Sequence, residues 1–234
     1  KPDTLLIINN GSTDNTLELL KSYDVEVISQ ENSGSAGGWY TGIKYALDNS
    51  FNFIWLMDDD GFPDRTALQS LVKETKENIN CVSSILVDEN NSNKLVFPMP
   101  VLDKKNFPSI FRFKRKIKTT LELRMYYSKE GKYPFVHFFN GALLRIEAVK
   151  KIGNINKNYF LYGDELDFCY RISKVGGVYS ITNSLHFHPD VNSRKVRDNW
   201  IYYYIKNSLI INSKYLNHSF LRSLGVIFLS IYRI

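Results

Sequence analysis

The most constraining feature of this chain is the run Phe53-Ile54-Trp55-Leu56-Met57, followed at once by Asp58-Asp59-Asp60-Gly61. Five successive apolar residues are of strand length and ask for cover on both faces. Three adjacent carboxylates ask for the opposite, because they repel one another and each loses solvation on burial. Both demands are met when the run is a strand of an open α/β sheet and the acids sit at its C-terminal rim, where ligands of such sheets bind. A divalent cation would offset the repulsion, since Mg²⁺ and Mn²⁺ favour carboxylate oxygens and keep positions open for substrate phosphates. A solvated acidic turn is the plainer alternative, because Asp-Asp-Gly is also good turn chemistry.

The flanking sequence supports the α/β reading. Strands are expected at Leu5–Ile8, Val25–Ile28, Phe53–Met57 (buried on both faces), Cys81–Leu86, Phe135–Phe139, Val178–Ile181 and Leu185–His188. Between them lie helical stretches at Asp14–Tyr23, Gly37–Asn49, Asp64–Lys76, Ile146–Ile152 and Asp164–Val175. Strands alternating with helices of about ten to fifteen residues predict a mainly parallel sheet flanked by helices. Residues 98–132 break the alternation. They carry Pro98, Pro100 and Pro108 and the basic cluster Arg112, Lys114, Arg115, Lys116 and Lys118, and read as a long excursion with a helix near Leu121–Tyr127. Residues 191–234 read as a C-terminal helical segment after a catalytic domain spanning 1–190.

The chain has 234 residues, 30 Lys plus Arg against 24 Asp plus Glu, and 44% hydrophobic residues. That supports a packed core, and the net charge of +6 suits anionic ligands without selecting one. Cys81 and Cys169 are distant and lack CxxC spacing, so a thiolate metal site or disulfide framework is not expected, and a reducing, cytoplasmic setting fits. No apolar run reaches the eighteen residues of a membrane span. The glycines of Asn32-Ser33-Gly34-Ser35-Ala36-Gly37-Gly38-Trp39 match neither the dinucleotide fingerprint nor a Walker loop, which argues against dehydrogenases and P-loop ATPases. They would suit either an anion at a helix N-terminus or an ordinary tight connection. Asp164 and Glu165 open a predicted helix, where they could reach a cleft or simply complement the helix dipole. His186 and His188, two apart on a strand, would share one face. Nucleic acid is not an expected partner, because the basic cluster lies on no recognisable sheet platform.

Taken in order, the segments IINNGSTDNT, NSGSAGGWYTGI, WLMDDDGFPD, FFNGALLRIEAVKKIG, LYGDELDFCYRI and HFHP resemble glycosyltransferase family 2, whose catalytic domain has the GT-A fold. Within it they are similar to bacterial rhamnosyl- and galactofuranosyl-transferases of surface polysaccharide synthesis. The likeness covers roughly residues 4–190. It implies that Asn9, Gly11, Asp14, Asn32, Gly37, Gly38, Trp39, Asp58 and Asp59 bind the nucleotide sugar, with Asn9 where the family has a base-contacting Asp. It implies that Asp58, Asp60 and His188 hold a divalent metal, Mn²⁺ or Mg²⁺, with His186 as the alternative ligand. Glu165 falls on the catalytic base, a Glu where Asp is usual, with Asp164 beside it. The family's opening strand–turn–helix unit is expected upstream of Lys1.

The implied reaction is inverting transfer of a sugar from a UDP- or dTDP-sugar to a glycan or lipid-linked glycan. A sugar-phosphate nucleotidyltransferase and a non-catalytic sugar- or nucleotide-binding module are the competing readings. The basic cluster reads as a solvated loop or as a grip for a lipid diphosphate or anionic leaflet. The apolar stretch Leu221–Ile231 reads as helix packing, a peripheral membrane contact or a homodimer interface.

Overall fold

The computed structural model describes residues 2–127, 130–191 and 198–231. The chain runs β1 (Leu6–Asn10), α1 (Thr16–Leu20), β2 (Glu26–Gln30), α2 (Gly34–Asp48), β3 (Phe53–Leu56), β4 (Phe62–Pro63), α3 (Ala67–Glu74), β5 (Ile79–Asp88) and β6 (Asn91–Pro100). It continues with β7 (Lys116–Thr119), α4 (Thr120–Leu123), β8 (Lys132–Tyr133), β9 (Ala142–Arg145), α5 (Ile146–Ile152), a 3₁₀ turn at Lys157–Tyr159, α6 (Asp164–Ser173), β10 (Gly177–His188), α7 (Asp198–Tyr215) and α8 (Ser219–Ile231). Parts of the expected C-terminal segment, residues 192–197 and 232–234, lie outside the described residues.

The main sheet has the order β3-β9-β5-β10-β4, with β6 and β8 paired to β5 and β10. Its spine is the parallel ladder of β5 and β10, which runs from Gly177↔Ile79 to His188↔Asp88. Strand β5 is buried along its whole length, as a central strand covered on both faces should be. Strands β1 and β2 form a separate parallel pair, bridged to the main sheet by α2, which packs on both β1 and β3. Core residues from α2, β3, β9, α5, α6 and the loop before β9, among them Ile43, Leu56, Leu144, Val149, Phe168 and Phe138, bury one face of the sheet.

Several expectations need correction. Strand β3 lies at the margin of the main sheet, and Phe53 at its start is 36% exposed beneath the Arg145 guanidinium. It is therefore not covered on both faces throughout. Phe135–Phe139 forms no strand; Ala142–Arg145, just beyond, is the element that pairs with β3 and β5. The apolar pattern there reports burial of Val136, Phe138 and Phe139 in the core rather than a ladder. The two short C-terminal strands are one strand, β10, with a register shift between Ile181 and Leu185. Helix α2 starts at Gly34, so the glycine-rich segment lies largely inside the helix rather than before it. Residues 98–132 are more than an excursion, since Met99, Val101, Ile117 and Leu123 close a second core cluster over Ile85, Val87 and Tyr133.

Candidate active site

The parallel pair β5–β10 delivers His188 to its C-terminal rim, and the short β4 pairs antiparallel with β10 through His186↔Pro63 and Phe187↔Phe62. That pairing folds the Asp58–Gly61 loop back over the rim. The carboxylate oxygens of Asp58, Asp59 and Asp60 lie within 4.8 Å of one another. His188 Nε2 stands 2.9 Å from Asp60 Oδ1, and His188 Nδ1 stands 2.7 Å from the Pro189 carbonyl. A carbonyl only accepts, so Nδ1 carries the proton and Nε2 faces the acids. A His fixed in this way through its far nitrogen is prepared as a metal ligand. The Asp58 carboxyl is pushed up from the ordinary carboxylate range by loss of solvation, then by Asp60 and Asp59.

These residues fit a hard divalent cation. The donor set is three carboxylates and one imidazole. The 2.9 Å Nε2–Oδ1 separation also matches adjacent ligands on an octahedral ion bound at about 2.0–2.1 Å. His186 is placed differently. It is fully buried, with Nε2 against Gly61 and Nδ1 against Gly141, and burial followed by the nearby His188 lowers its pKa to about 4. His186 therefore supports the loop from below, while His188 meets Asp60.

The second half of the site comes from α6. Gly163 precedes it at φ +81°, a left-handed conformation natural to glycine, and any Cβ there would meet Asn207 Cβ at 2.9 Å. Glu165 Oε1 accepts the Phe138 backbone N–H and lies 3.8 Å from His137 Nδ1. Desolvation is the main cause that raises Glu165 to about 7, opposed by the Phe138 bond and reinforced by Asp164 and Asp58. The influence of Asp58 on it ties α6 to the acidic loop. Asp164 is buried, accepts from Ser35 Oγ at 3.1 Å and is raised by burial to about 6. His137 is a neutral neighbour, lowered by burial to about 4. A raised Glu165 within electrostatic reach of Asp58 makes an arrangement suited to general-base chemistry.

The remaining predicted contacts are engaged within the chain. Asn9 is buried at the end of β1, with Oδ1 accepting from Ser12 N–H at 3.1 Å and Nδ2 donating to Ser29 Oγ at 3.3 Å. Asp14 is exposed and accepts from Thr16 N–H at 3.0 Å, closing a local turn. Gly11, at φ +81°, packs on the Asn32 backbone, and Asn32 Oδ1 accepts from Gly34 N–H. At the start of α2, Ser33 N–H goes to Asn10 Oδ1 and Ala36 N–H to the Phe160 carbonyl. Gly37 packs against Ser33, Gly38 faces Asn10 at ordinary contact distance, and the Trp39 ring stacks on Phe139 at 4.4 Å. These amides and rings hold the cleft floor together.

Sequence reasoning assigned no site role to the group that fixes α6. Asn207 of α7 is buried and shares its Nδ2 hydrogens among the carbonyls of Tyr159 (3.0 Å), Leu161 (2.8 Å) and Tyr162 (2.8 Å). It thereby pins a loop in which Phe160 and Tyr162 both take positive φ. Asp167 and Arg171 pair at 2.7 Å, and Arg171 also caps the carbonyls of Ile152, Gly153 and Asn154, which locks α6 to α5. Asn207→Ala removes bonds worth about 1 kcal/mol each. It should lower the thermal midpoint by several degrees, at about 2–4 °C per kcal/mol for a chain of this size. A circular-dichroism melt checks this.

A surface depression of about 1100 Å³ is lined by Lys76, Ile79, Lys132 and Tyr179 at the opposite, N-terminal end of β5 and β10. It holds none of these acids.

An α/β sheet with an acidic triad at its C-terminal rim and a raised Glu near it has its ligand site where open α/β sheets place theirs. Residues 1–151 match Glycosyl transferase family 2, and the chain belongs to that family. It is 29% identical over 198 residues to galactofuranosyltransferase GlfT1 of Mycolicibacterium smegmatis, covering 81% of this chain and 62% of that protein. It is 20% identical to the low-salt glycan biosynthesis hexosyltransferase Agl10 of Haloferax volcanii, covering 92% of this chain and 68% of that one. The chain thus spans about 62% of the length of the GlfT1 relative. Its fold is that of GalNAc-T7 solved with UDP, GalNAc and Mn²⁺ (TM-score 0.59, 15% identity, 90% of this chain and 45% of that one). It is also that of Mycobacterium tuberculosis glucosyl-3-phosphoglycerate synthase with Mn²⁺, UDP and glucosyl-3-phosphoglycerate (TM-score 0.51, 15% identity, 90% and 67%). The expected GT-A class is therefore correct.

Proposed function

We propose that this chain transfers a sugar from a UDP- or dTDP-sugar to a hydroxyl of a glycan or lipid-linked glycan, with a divalent metal and with inversion. The reading rests on one observation: the His188–Asp60 pair at 2.9 Å sits in the acidic loop whose Asp58 charge reaches the raised Glu165. The similarity to GlfT1, a galactofuranosyltransferase, supports sugar transfer, and that to Agl10, a glycan biosynthesis hexosyltransferase, supports a glycan as the acceptor class. The buried, free Cys81 and Cys169 suit a reducing, cytoplasmic setting.

Asp58, Asp60 and His188 would hold the cation, with Asp59 turned to the donor. Bound there, a cation would supply positive charge to the departing diphosphate as a Lewis acid and template. Glu165 takes the proton of the acceptor hydroxyl, and that oxygen bonds to the anomeric carbon. The bond from the anomeric carbon to the diphosphate oxygen breaks, and its electron pair leaves with the nucleoside diphosphate. Asp164, held by Ser35, keeps α6 aligned and adds to the charge that raises Glu165.

A nucleotide-release assay with and without a glycan acceptor tests the reading. Acceptor-dependent release of UDP or dTDP supports transfer. Formation of a nucleotide sugar from a sugar phosphate and a nucleoside triphosphate would establish a nucleotidyltransferase instead. Gly61→Ala should also impair turnover, because its Cβ would lie 2.5 Å from His186 Nε2, so the His186 ring or the acidic loop must shift. Misplacement on the scale of an ångström costs up to about 10²-fold. Steady-state kinetics, with a melt to confirm folding, reads this out.

A further inference from the structure

Helix α8 is built the wrong way round for a helix that only packs on its own domain. Phe220, Ile227 and Ile231 recur at helical spacing, with Leu221 and Phe228 beside them, as one apolar stripe. That stripe faces outward: Phe220 is 72% exposed, Phe228 69% and Ile231 68%. The less exposed positions mix polar groups with the half-buried Leu224 and Val226. Ser230 is buried, and the Arg222 guanidinium reaches the Pro108 and Asn217 carbonyls. A contiguous apolar face left in water marks an interaction surface.

The basic cluster lies against the same helix. Arg222 Nη2 binds the Pro108 carbonyl, Asn217 Nδ2 donates to Asp103 at 3.0 Å, and the Phe111 ring meets His218 edge-on at 5.1 Å. Beside that junction Phe113 projects fully into solvent and Phe111 is 75% exposed, among Arg112, Lys114, Arg115, Lys116 and Lys118, all exposed. Lys114 pairs with Glu122, whereas Arg112, Arg115, Lys116 and Lys118 have no ion pair among the described residues. Sequence separation hid this: roughly a hundred residues lie between the loop and the helix, and only the fold joins them.

We infer that α8 and the Phe111–Lys118 loop together form a docking surface for an anionic lipid bilayer, with the apolar stripe and the two phenylalanines in the interface and the basic residues on the headgroups. Helix α8 has 13 residues, about 20 Å at 1.5 Å per residue, and no described helix is long and apolar enough to cross a membrane. It would therefore lie in the interfacial plane. Charge favours this occupant over a second copy: the chain carries +6, and pairing two such surfaces would oppose two basic clusters. The inference is independent of the transfer reaction and is tested without it.

Flotation of the full chain with vesicles of phosphatidylcholine alone, and with added phosphatidylglycerol, provides the test. Binding should be at least tenfold tighter to the anionic vesicles and should weaken with salt. The triple variant Arg112→Gln, Arg115→Gln, Lys116→Gln should lose roughly fivefold per residue, about 10²-fold in all. Phe228→Ser with Ile231→Ser should release the chain from both vesicle types while its melt stays that of the wild type. Equal binding to both vesicle types, or no binding by the folded chain, would overturn the inference. A lipid-free dimer abolished by the double serine variant would overturn it too, by assigning the stripe to a second copy.

Discussion

Glu165→Gln should lower the turnover number by about 10²–10⁴-fold, the usual contribution of a positioned general base. The same substitution should raise the thermal midpoint above neutral pH. The Glu165 carboxyl titrates near 7 in the folded chain, against an ordinary value of 4.5. Between those values the folded state binds the proton more tightly than the unfolded one, so this group makes stability fall as pH rises. Below about 4.5 both states are protonated and the contribution vanishes; above about 7 the full cost is present. Glutamine keeps an oxygen for the Phe138 N–H and carries no charge, so the gain appears at pH 8 and is absent at pH 4. Solvent reaches 31% of the Glu165 side chain, which reduces the gain to on the order of 1 kcal/mol, or about 2–4 °C. Wild-type activity should rise with pH through about 7, and with bound metal this limb should move to lower pH, because Asp58 is one of the charges that raises Glu165. Paired pH–rate and pH–melt profiles check both signs. A variant that loses stability in parallel with activity would make Glu165 a structural residue.

The second large effect concerns the two histidines. His188→Ala should weaken Mn²⁺ binding at least tenfold, because it removes the imidazole nitrogen that faces Asp60 at 2.9 Å. His186→Ala should leave Mn²⁺ affinity much closer to wild type and act on stability. Its ring fills the space between Gly61 and Gly141 beneath the loop. Calorimetric Mn²⁺ titration of both variants separates the roles. Equal losses would mean that the loop, rather than a ligand, governs affinity.

The residues that carry charge were legible in the sequence. The Asp58–Asp60 triad stands out because charge at the end of an apolar strand needs a reason, whereas it is the family resemblance that singles out Glu165 and His188 from Asp164 and His186. What escaped is whatever depends on backbone groups or distant packing. The Phe138 N–H that holds Glu165 has no side-chain signature. Asn207 looks like any helical Asn until α7 is folded onto the Tyr159–Tyr162 carbonyls. Gly34 suggested an anion cradle, yet a Cβ there would strike the Phe160 carbonyl at 2.1 Å, so its smallness serves close chain approach. Strand β6 was hidden by Pro98 and Pro100, which normally argue against a strand; the register shift between Lys94 and Met99 accommodates them.

The central claim is metal-dependent binding of a nucleotide diphosphate by the acidic loop. Calorimetric titration of UDP, with and without Mn²⁺, on the wild type and on Asp60→Ala tests it most directly, with dTDP in parallel. The account predicts binding that requires Mn²⁺ and disappears in Asp60→Ala while the variant melts as a folded protein. Binding that is indifferent to Mn²⁺, or that survives Asp60→Ala unchanged, would contradict it.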